Sequence, residues 1–271
     1  MLPGKKVGII GVGKLGEALA LGLMKNGTLK ATDICGSAKR ASSIERIRTK
    51  IGIDAYLSNQ DVVMKSDVII LAVKPQNIAT VCQDIRTVLK PTQVVISVAA
   101  SVSTSYLEEC LEVEIPVIRA MPNTPALINA GMTAICGGRF ATQAHLTLAE
   151  EIFASVGLVV NLDESLFDGV TALSASGPAY IYVVIESLAE AGVKLGIPRD
   201  ISTLLAAQTM LGSAKLVLET KQHPALLKDS VTTPAGCTID GLLELEDGRL
   251  RVTLIKAVVK AAERASQLLK T

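Results

Sequence analysis

The sequence predicts an α/β protein with a mainly parallel sheet in its first half and an all-helical second half. Apolar runs of strand length alternate with helical patterns as far as Leu162, and such alternation is typical of βαβ units. Beyond Asp163 no run reads as a strand. We therefore predict one domain over residues 1–163 and a second over residues 164–271.

Apolar runs define the predicted strands, which are Lys6–Ile10, Ala31–Cys35, Val68–Val73, Val94–Ala99, Val117–Arg119, Met132–Cys136 and Leu158–Leu162. Helical patterns in the first half cover Glu17–Met24, Ser43–Lys50, Ile78–Leu89 and Gln143–Ala154. In the second half we expect helices over Tyr180–Lys194, from an N-cap at Asp200 through Glu219, from Thr233–Pro234 onward, and over Leu250–Leu269. These last helices carry more apolar surface than a small bundle can bury, which predicts a homodimer formed by this domain. The alternative is an ordinary monomeric bundle.

The bulk composition limits which kinds of partner the protein can bind. Hydrophobic residues make up 49% of the chain and the net charge is +1, so no basic field is available to hold nucleic acid or an anionic membrane. No run of about 20 uncharged apolar residues appears, and "MLPGKKVGIIG" lacks a cleavable signal pattern. The five cysteines form no CxxC pair, which fits reduced thiols in the cytoplasm and argues against a metal site.

A glycine motif lies between the first predicted strand and helix. Gly11, Gly13 and Gly16 form G-x-G-x-x-G in "IGVGKLGEAL". The first glycine permits a tight turn, the second lets the backbone approach a pyrophosphate, and the third lets the helix pack close to the strand. The first half is therefore predicted to be a Rossmann-type dinucleotide-binding domain.

The end of the second predicted strand bears on which dinucleotide is bound. A site for NAD needs an acid about 20 residues after the glycines. Here Asp33 comes early, Gly36–Ser37 stand in the expected place, and Lys39 and Arg40 follow. Small, hydroxyl and basic residues suit a 2′-phosphate, so NADPH is favoured and NADH stays open. The alternative is that both basic residues merely begin a solvated helix.

Two further strand ends belong to the same predicted edge. "AVKP" at Ala72–Pro75 follows one buried strand, and "VISVAAS" ends another. Ligands of open α/β sheets bind beyond the carboxyl ends of the strands. Lys74 would then lie by the ribose or phosphate, or else be a solvated lysine. The loop "MPNTP" at Met121–Pro125 reads either as a rigid polar loop at the site or as a structural turn.

Two hydroxyl-rich helix starts are predicted in the second half. "LSASGPAY" places Ser174 and Ser176 before Gly177–Pro178, and "VTTPAGCTIDG" places small residues around Cys237 and Thr238. Backbone N–H groups at a helix start attract anions, so together they indicate a small anionic substrate. The alternative is two capped helices without a ligand. Neither histidine lies beside a motif, which favours a substrate that already carries its proton, such as a cyclic iminium.

With these motifs the sequence resembles the Δ1-pyrroline-5-carboxylate reductase family over essentially its whole length. "IGVGKLG", "AVKP", "RAMPNTP", "SASGPAY" and "KDSVTTPAGCTIDGLLELE" occur in the family's order and spacing. The resemblance implies a Rossmann-type domain, a helical dimerisation domain, and dimers that commonly assemble into decamers. It also implies NAD(P)H-dependent reduction of 1-pyrroline-5-carboxylate to L-proline, with substrate bound at the dimer interface.

The motifs and the resemblance together identify the expected site residues. Those expected to bind the cofactor are Ile10, Gly11, Val12, Gly13, Lys14, Leu15, Ser37, Lys39, Asn59, Ala72, Val73, Lys74, Pro75, Val98, Ala99 and Ala100. Those expected to bind the substrate are Glu164, Ser176, Thr233, Gly236, Cys237 and Thr238. Thr238 is the expected catalytic residue, since the resemblance places its hydroxyl opposite the ring nitrogen.

Three positions depart from the family pattern, and two other functions stay open. The stretch "KDSVTTPAGCTIDGLLELE", Lys228–Glu246, resembles the signature of the family, and in it Ala235 replaces the first of the two glycines that usually follow the proline. Ser230 stands where some relatives have Asn, and Ala175 stands where Gly is frequent. A β-hydroxyacid dehydrogenase would need a catalytic lysine in the second domain, for which Lys194 and Lys215 are the candidates. A non-catalytic dinucleotide-sensing dimer has no use for the threonine-rich helix start.

Overall fold

The computed structural model describes residue 2 and residues 4–267, and the chain divides into two compact units. The first unit contains the described residues up to Ser176 and those from Ala261 onward, and the second contains Gly177–Lys260. The boundary predicted between residues 163 and 164 remains a prediction.

The first unit is built on an eight-stranded sheet with the order β3-β2-β1-β4-β5-β6-β7-β8. Every neighbouring pair is parallel except β6 and β7, which are antiparallel. The strands are β1 Val7–Ile10, β2 Ile34–Ser37, β3 Asp54–Tyr56, β4 Val68–Leu71, β5 Val94–Ser97, β6 Val117–Pro122, β7 Gly131–Gly137 and β8 Gly157–Asn161. The predicted mainly parallel sheet is thus confirmed. The strand β3 was not predicted, because its three residues form no apolar run.

Seven helices accompany the sheet: α1 Lys14–Lys25, α2 Ala41–Arg46, α3 Asn59–Met64, α4 Ile78–Ile85, α5 Thr104–Leu111, α6 Gln143–Phe153 and α7 Phe167–Val170. The helices α3, α5 and α7 are missing from the sequence prediction, because their four to eight residues show no clear apolar period. The helix α4 ends at Ile85 rather than Leu89, and α2 passes into a wider helical turn over Ile47–Ile51. Residues 31–33 form a 3₁₀ turn, so β2 begins at Ile34 and extends to Ser37.

Most of the core of this unit lies in two apolar layers, one on each face of the sheet, and a smaller cluster surrounds Phe167. Ile9, Ile70 and Ile96 belong to one layer, and Ile10, Leu71 and Val95 belong to the other. Adjacent residues of one strand point to opposite faces, so strands covered on both sides read as continuous apolar runs. This is why β1, β4 and β5 are recognisable in the sequence.

The second unit is helical, and the described residues beyond Asn161 contain no strand. Its helices are α8 Gly177–Lys194, α9 Arg199–Thr220, α10 Pro224–Ser230, α11 Cys237–Asp247 and the first part of α12 Leu250–Gln267. The predicted N-cap at Asp200 is wrong: Pro198 caps α9, and Asp200 lies in the first turn. The predicted end of the last helix, Leu269, falls outside the described residues.

Of the two predicted hydroxyl-rich helix starts, the first lies where expected, because α8 begins at Gly177, and the second is displaced. Other helical turns precede α8 from Glu164 onward, and the Ser176 N–H donates to the Thr171 carbonyl at 2.9 Å. The Ser176 N–H is therefore already bonded within the chain, whereas the role predicted for this helix start in binding an anion stays a prediction. Near the signature, α11 begins at Cys237 with Gly236 as N-cap. Pro234 belongs to the preceding turn, because the left-handed backbone of Ala235, with φ +58°, interrupts the helix.

Long helical segments of the chain expose apolar side chains. Glu164–Lys194 and Arg199–Thr220 are long and apolar enough to cross a membrane by length and composition alone, although a core helix passes the same test. On α9, Leu204, Leu211 and Leu218 are each more than half exposed in the single chain. Apolar surface of this extent marks an interaction face.

Candidate active site

The loop after β1 has the backbone that the glycine motif predicts. Gly11 has φ +88°, and a Cβ there would come 2.6 Å from Val73 Cγ1. A Cβ on Gly16 would meet Ile9 Cγ2 at 3.0 Å, so α1 packs directly on β1. Gly13 is different, since a Cβ added there meets nothing within 4 Å. The protein itself would have room for a side chain at Gly13, so the space that the missing Cβ leaves is open to a ligand.

The N-terminus of α1 fits a dinucleotide phosphate group. Gly13 is the N-cap, and no side chain caps this helix. The first N–H groups of an α-helix have no intrahelical acceptor, and the helix dipole gives this end a partial positive charge. An anion placed against Gly13 would therefore find both donors and room. These residues fit the pyrophosphate of a nicotinamide dinucleotide.

The neighbouring strand ends complete this edge of the sheet. Ile10 pairs with both Ser37 and Leu71, and Leu71 pairs with Ser97, so β1, β2, β4 and β5 end level with one another. The strand order reverses between β1 and β4, which is the usual crevice for a nucleotide. The structure thus brings to one edge the predicted cofactor residues Ile10, Gly11, Val12, Gly13, Lys14, Leu15, Ser37, Ala72, Val73, Lys74, Pro75, Val98, Ala99 and Ala100.

At the end of β2, side-chain hydrogen bonds link Ser37 to Asn59 and Asn59 to Asp84. Its hydroxyl donates to Asn59 Oδ1 at 2.7 Å, and Asn59 Nδ2 donates to Asp84 Oδ2 at 2.8 Å. Lys39 Nζ lies 3.5 Å from Asn77 Oδ1. The predicted residues Ser37 and Asn59 are therefore in direct contact. Asp84 was not predicted, because nothing in the helical sequence around it sets it apart.

The "MPNTP" loop is held by its asparagine. Asn123 Oδ1 accepts from the Met132 N–H at 2.9 Å, and its Nδ2 donates to the Ser174 carbonyl at 3.3 Å. Both ends of the amide are therefore used within the protein. These bonds support the reading of this loop as a structural turn that ties β6 to the segment around Ser174.

Glu164 makes a compact polar cluster within the first unit. Its Oε1 accepts from the Thr104 N–H at 2.9 Å and from Arg119 Nη1 at 3.1 Å, and its Oε2 accepts from Thr104 Oγ1 at 2.6 Å. Arg119 is 3% exposed and stacks on the Phe167 ring at 4.6 Å. Its Nε and Nη2 have no hydrogen-bond partner. The carboxylate thus neutralises a buried cation and caps α5 at the same time.

Thr104 and Arg119 were not predicted as site residues. Arg119 begins the motif "RAMPNTP", and a charged residue inside an apolar strand is the signal that could have identified it. An open cavity of about 490 Å³ lies beside the cluster, lined by Cys136, Gly137, Asn161, Leu162, Asp163 and Glu164. Burial raises the pKa of the Cys136 thiol to about 12. Hydrogen bonds from Ser165 hold the pKa of the exposed Asp163 carboxyl below its ordinary value.

The signature stretch in the second unit forms a tight turn before α11. Ala235 has φ +58°, a conformation that costs a residue with a Cβ about 1–2 kcal/mol. A Cβ on Gly236 would come 2.5 Å from Thr233 Oγ1, so a side chain there would displace the Thr233 hydroxyl. Cys237 and Thr238 then open the helix, are exposed, and follow an N-cap without a capping side chain. Their N–H groups have no intrahelical acceptor.

The predicted substrate residues therefore fall in two groups. Thr233, Gly236, Cys237 and Thr238 lie together in the second unit, whereas Glu164 and Ser176 lie in the first.

All five cysteines are free. Within residues 4–267 and residue 2, no group of three or more His, Cys, Asp and Glu side chains could hold a metal ion.

Family models match both parts of the chain. Residues 164–268 match the model described as pyrroline-5-carboxylate reductase dimerisation, and residues 6–101 match the model described as NADP oxidoreductase coenzyme F420-dependent. The first match covers the helical segments with exposed apolar faces. The second covers the glycine loop and the ends of β1, β2, β4 and β5.

Relatives match nearly the full length. Pyrroline-5-carboxylate reductase of Methanosarcina acetivorans is 42% identical over 97% of this chain and 98% of its own length. The Arabidopsis thaliana enzyme of the same name is 40% identical over 97% of this chain and 95% of its own. A solved pyrroline-5-carboxylate reductase from Coxiella burnetii has a TM-score of 0.93 at 36% identity, covering 98% and 99% of the two chains. The Plasmodium falciparum pyrroline carboxylate reductase with NADP bound has a TM-score of 0.89 at 30% identity, covering 99% and 100%.

Proposed function

The chain belongs to the pyrroline-5-carboxylate reductase family, and we propose that it catalyses the reaction for which the family is named. It is an oxidoreductase that reduces 1-pyrroline-5-carboxylate to L-proline with NADPH, in proline biosynthesis. Identity of about 40% along nearly the whole chain carries this conclusion. The two alternatives, a β-hydroxyacid dehydrogenase and a dinucleotide-sensing dimer, have no comparable support.

The reaction balances with one hydride and one proton. When bound, the reduced nicotinamide would supply a hydride for the imine carbon of the substrate, and the proton on the nitrogen of the product amine would arrive on the substrate or from water. The protein residues bind and orient. Ile10 to Leu15 would hold the pyrophosphate, and Ser37, Lys39 and Asn59 would hold the adenosine ribose. The segments Ala72–Pro75 and Val98–Ala100 would line the path to the nicotinamide. Correct placement of the two carbons accounts for most of the rate.

The start of α11 binds the substrate. The exposed N–H groups of Cys237 and Thr238 receive the carboxylate, as the free donors of a helix N-terminus do for anions. The Thr238 hydroxyl orients the ring nitrogen, which makes Thr238 the catalytic residue. Thr233 and Gly236 support this geometry, because the missing Cβ of Gly236 lets the turn close on the Thr233 hydroxyl.

Glu164 and Ser176 have smaller roles in substrate binding than the start of α11. The carboxylate of Glu164 already accepts three hydrogen bonds from Thr104 and Arg119, so its contribution to binding acts through the cavity that it lines. The Ser176 N–H is bonded within the helix, which leaves its hydroxyl as the group that can reach a ligand.

The protein forms a homo-oligomer. The match to the dimerisation family covers the helices whose leucines are exposed in the single chain. We propose that dimers assemble further into a decamer, and that the protein acts in the cytoplasm without a membrane or nucleic-acid partner. The apolar faces of Glu164–Lys194 and Arg199–Thr220 are then covered by a second copy rather than by lipid. The free thiols and net charge of +1 support this placement.

The function is tested with purified protein and pyrroline-5-carboxylate, by following the loss of NADPH or NADH absorbance. Rapid oxidation that depends on the imine, with L-proline as product, is the expected result. No oxidation of either cofactor by a folded protein that binds NADPH would overturn the assignment. Light scattering on the same sample gives the assembly size, and any size other than ten copies contradicts the decamer.

A further inference from the structure

The orientation of the Asn59 amide is set by Asp84. An ionised carboxylate can only accept hydrogen bonds, so the Asn59 atom that lies 2.8 Å from Asp84 Oδ2 must be the amide nitrogen. The Asn59 carbonyl oxygen then faces Ser37, 2.7 Å from its hydroxyl. Gln60 holds Asp84 in place, since its Nε2 donates to the Asp84 carbonyl at 2.7 Å and lies 3.4 Å from Oδ1.

The direction of this chain determines what Ser37 can offer a ligand. A carbonyl oxygen cannot donate, so the single proton of the Ser37 hydroxyl is committed to Asn59. What remains on the Ser37 oxygen is acceptor capacity. A ribose 2′-hydroxyl carries a proton and suits an acceptor, whereas a 2′-phosphate is largely a dianion near neutral pH and needs donors.

We propose that Asp84 is a positioning residue that limits the preference of the enzyme for NADPH over NADH. It acts through Asn59, by keeping the Ser37 hydroxyl turned away from a 2′-phosphate. Lys39 beside Asn77 supplies the opposing, phosphate-favouring charge, so both cofactors are accepted. This inference rests on the proposed cofactor site at the end of β2, but not on the identity of the imine substrate.

The decisive variant is Asp84→Asn, which keeps the shape and adds a donor. The Asn59 amide can then turn over, donate to Ser37, and free the Ser37 proton for a phosphate. Dissociation constants for NADPH and NADH are measured by the fluorescence of the reduced nicotinamide. One released hydrogen bond to a charged group predicts that the preference for NADPH rises by about tenfold or more.

Two controls separate this mechanism from simple loss of charge. Asp61→Asn removes a carboxylate from the first turn of α3, the helix that Asn59 begins, and is expected to leave the preference near that of the parent protein. Ser37→Ala removes the group through which Asp84 acts, so adding Asp84→Asn to it should change the preference by less than about twofold. Asp84→Glu keeps an acceptor-only group and should behave as the parent.

Three outcomes overturn the inference: an unchanged preference in Asp84→Asn, an equal shift in Asp61→Asn, or a full shift in the absence of the Ser37 hydroxyl. If Asp84→Asn does not fold, Asp84→Ala replaces it, with a smaller shift expected in the same direction. Competition by adenosine 2′,5′-bisphosphate against adenosine 5′-monophosphate repeats the test without nicotinamide. Because all readouts are binding constants, they stand even if pyrroline-5-carboxylate is not turned over.

Discussion

Glu164 binds Thr104 through both carboxylate oxygens, one at 2.9 Å from the Thr104 backbone nitrogen and the other at 2.6 Å from its hydroxyl. The same carboxylate is the counter-ion of the buried Arg119. One side chain at the start of the dimerisation-family segment therefore stabilises α5 and neutralises a cation in β6 of the nucleotide-binding sheet. A substrate role for Glu164 would have to coexist with this structural one.

We expect Glu164→Gln to lower the free energy of unfolding by about 2–3 kcal/mol, because it leaves Arg119 as a buried, uncompensated charge. Denaturant unfolding at fixed protein concentration measures this loss. Glu109→Gln, on the exposed side of α5, is the control and should change stability by less than about 0.5 kcal/mol. Parent-like stability combined with a raised KM for the imine would instead identify Glu164 as a substrate ligand alone.

Thr238→Val is expected to reduce kcat by about ten- to a hundredfold, because it removes a hydrogen bond that positions the reacting nitrogen. The dissociation constant for NADPH should not change. Thr238→Ser keeps the hydroxyl and should retain most of the turnover. Thr232→Val removes a neighbouring hydroxyl that bonds the Lys228 carbonyl and should also retain it. Equal turnover in Thr238→Val and the parent protein would refute the catalytic role.

Gly13→Ala should weaken NADPH binding at least about tenfold while altering stability by less than about 1 kcal/mol. The structure has space for the methyl group, so the methyl group would collide with the bound cofactor and not with other protein atoms. Gly169→Ala, in α7, also adds a Cβ into open space and should leave NADPH affinity unchanged. Gly11→Ala should differ from both and destabilise the fold, since its Cβ would strike Val73. Cofactor titration and thermal unfolding distinguish the three.

Ala235→Gly is expected to raise the free energy of unfolding by up to about 1 kcal/mol. It relieves the left-handed strain at φ +58°, and the added freedom of the unfolded chain offsets part of that gain. Ala225→Gly, in the first turn of α10, has no strain to relieve and should lower stability by up to about 1 kcal/mol. The opposite signs of the two changes, measured by denaturant unfolding, are the test. A loss of stability in both variants would contradict the strain at Ala235.

Thiol labelling of the native protein should distinguish the reactive Cys237 from the unreactive Cys82 and Cys136. Cys237 is exposed and should react with iodoacetamide in the native protein. Burial raises the pKa of the Cys82 and Cys136 thiols from 9.0 to about 12, so both should react only after unfolding. L-proline should slow the labelling of Cys237, because its carboxylate would occupy the same helix start. Mass spectrometry locates the label, and undiminished labelling in saturating proline would contradict this substrate position.

The same two thiols predict a loss of stability in alkali. Because their folded pKa lies above the unfolded value of 9.0, their contribution is fully present below pH 9.0 and is lost as the pH rises through about 12. Unfolding free energies measured across this window should fall more steeply for the parent than for a Cys82→Ala variant, whose overall stability is lower. Parallel curves would contradict the raised pKa of Cys82.

Much of the first unit could be predicted because its signals are local. Buried parallel strands such as β4 are continuous apolar runs, and Gly11, at φ +88°, occupies a backbone conformation that favours glycine. The boundaries were less predictable. Asp200 and Pro234 have the side chains of helix starts, yet α9 begins after Pro198 and α11 after Gly236, because the backbone of each turn decides where the first helical hydrogen bond forms.

The sequence by itself therefore determined the alternation of strands and helices, the dinucleotide loop and the family, all of which depend on residues close together in the chain. Only the tertiary structure decided that Glu164 meets Thr104 and Arg119, 60 and 45 residues away, and that Asp84 directs Asn59, 25 residues away. Such partners are chosen by how the elements pack, since a buried charge or amide must find its hydrogen bonds wherever the fold brings an acceptor or donor within reach.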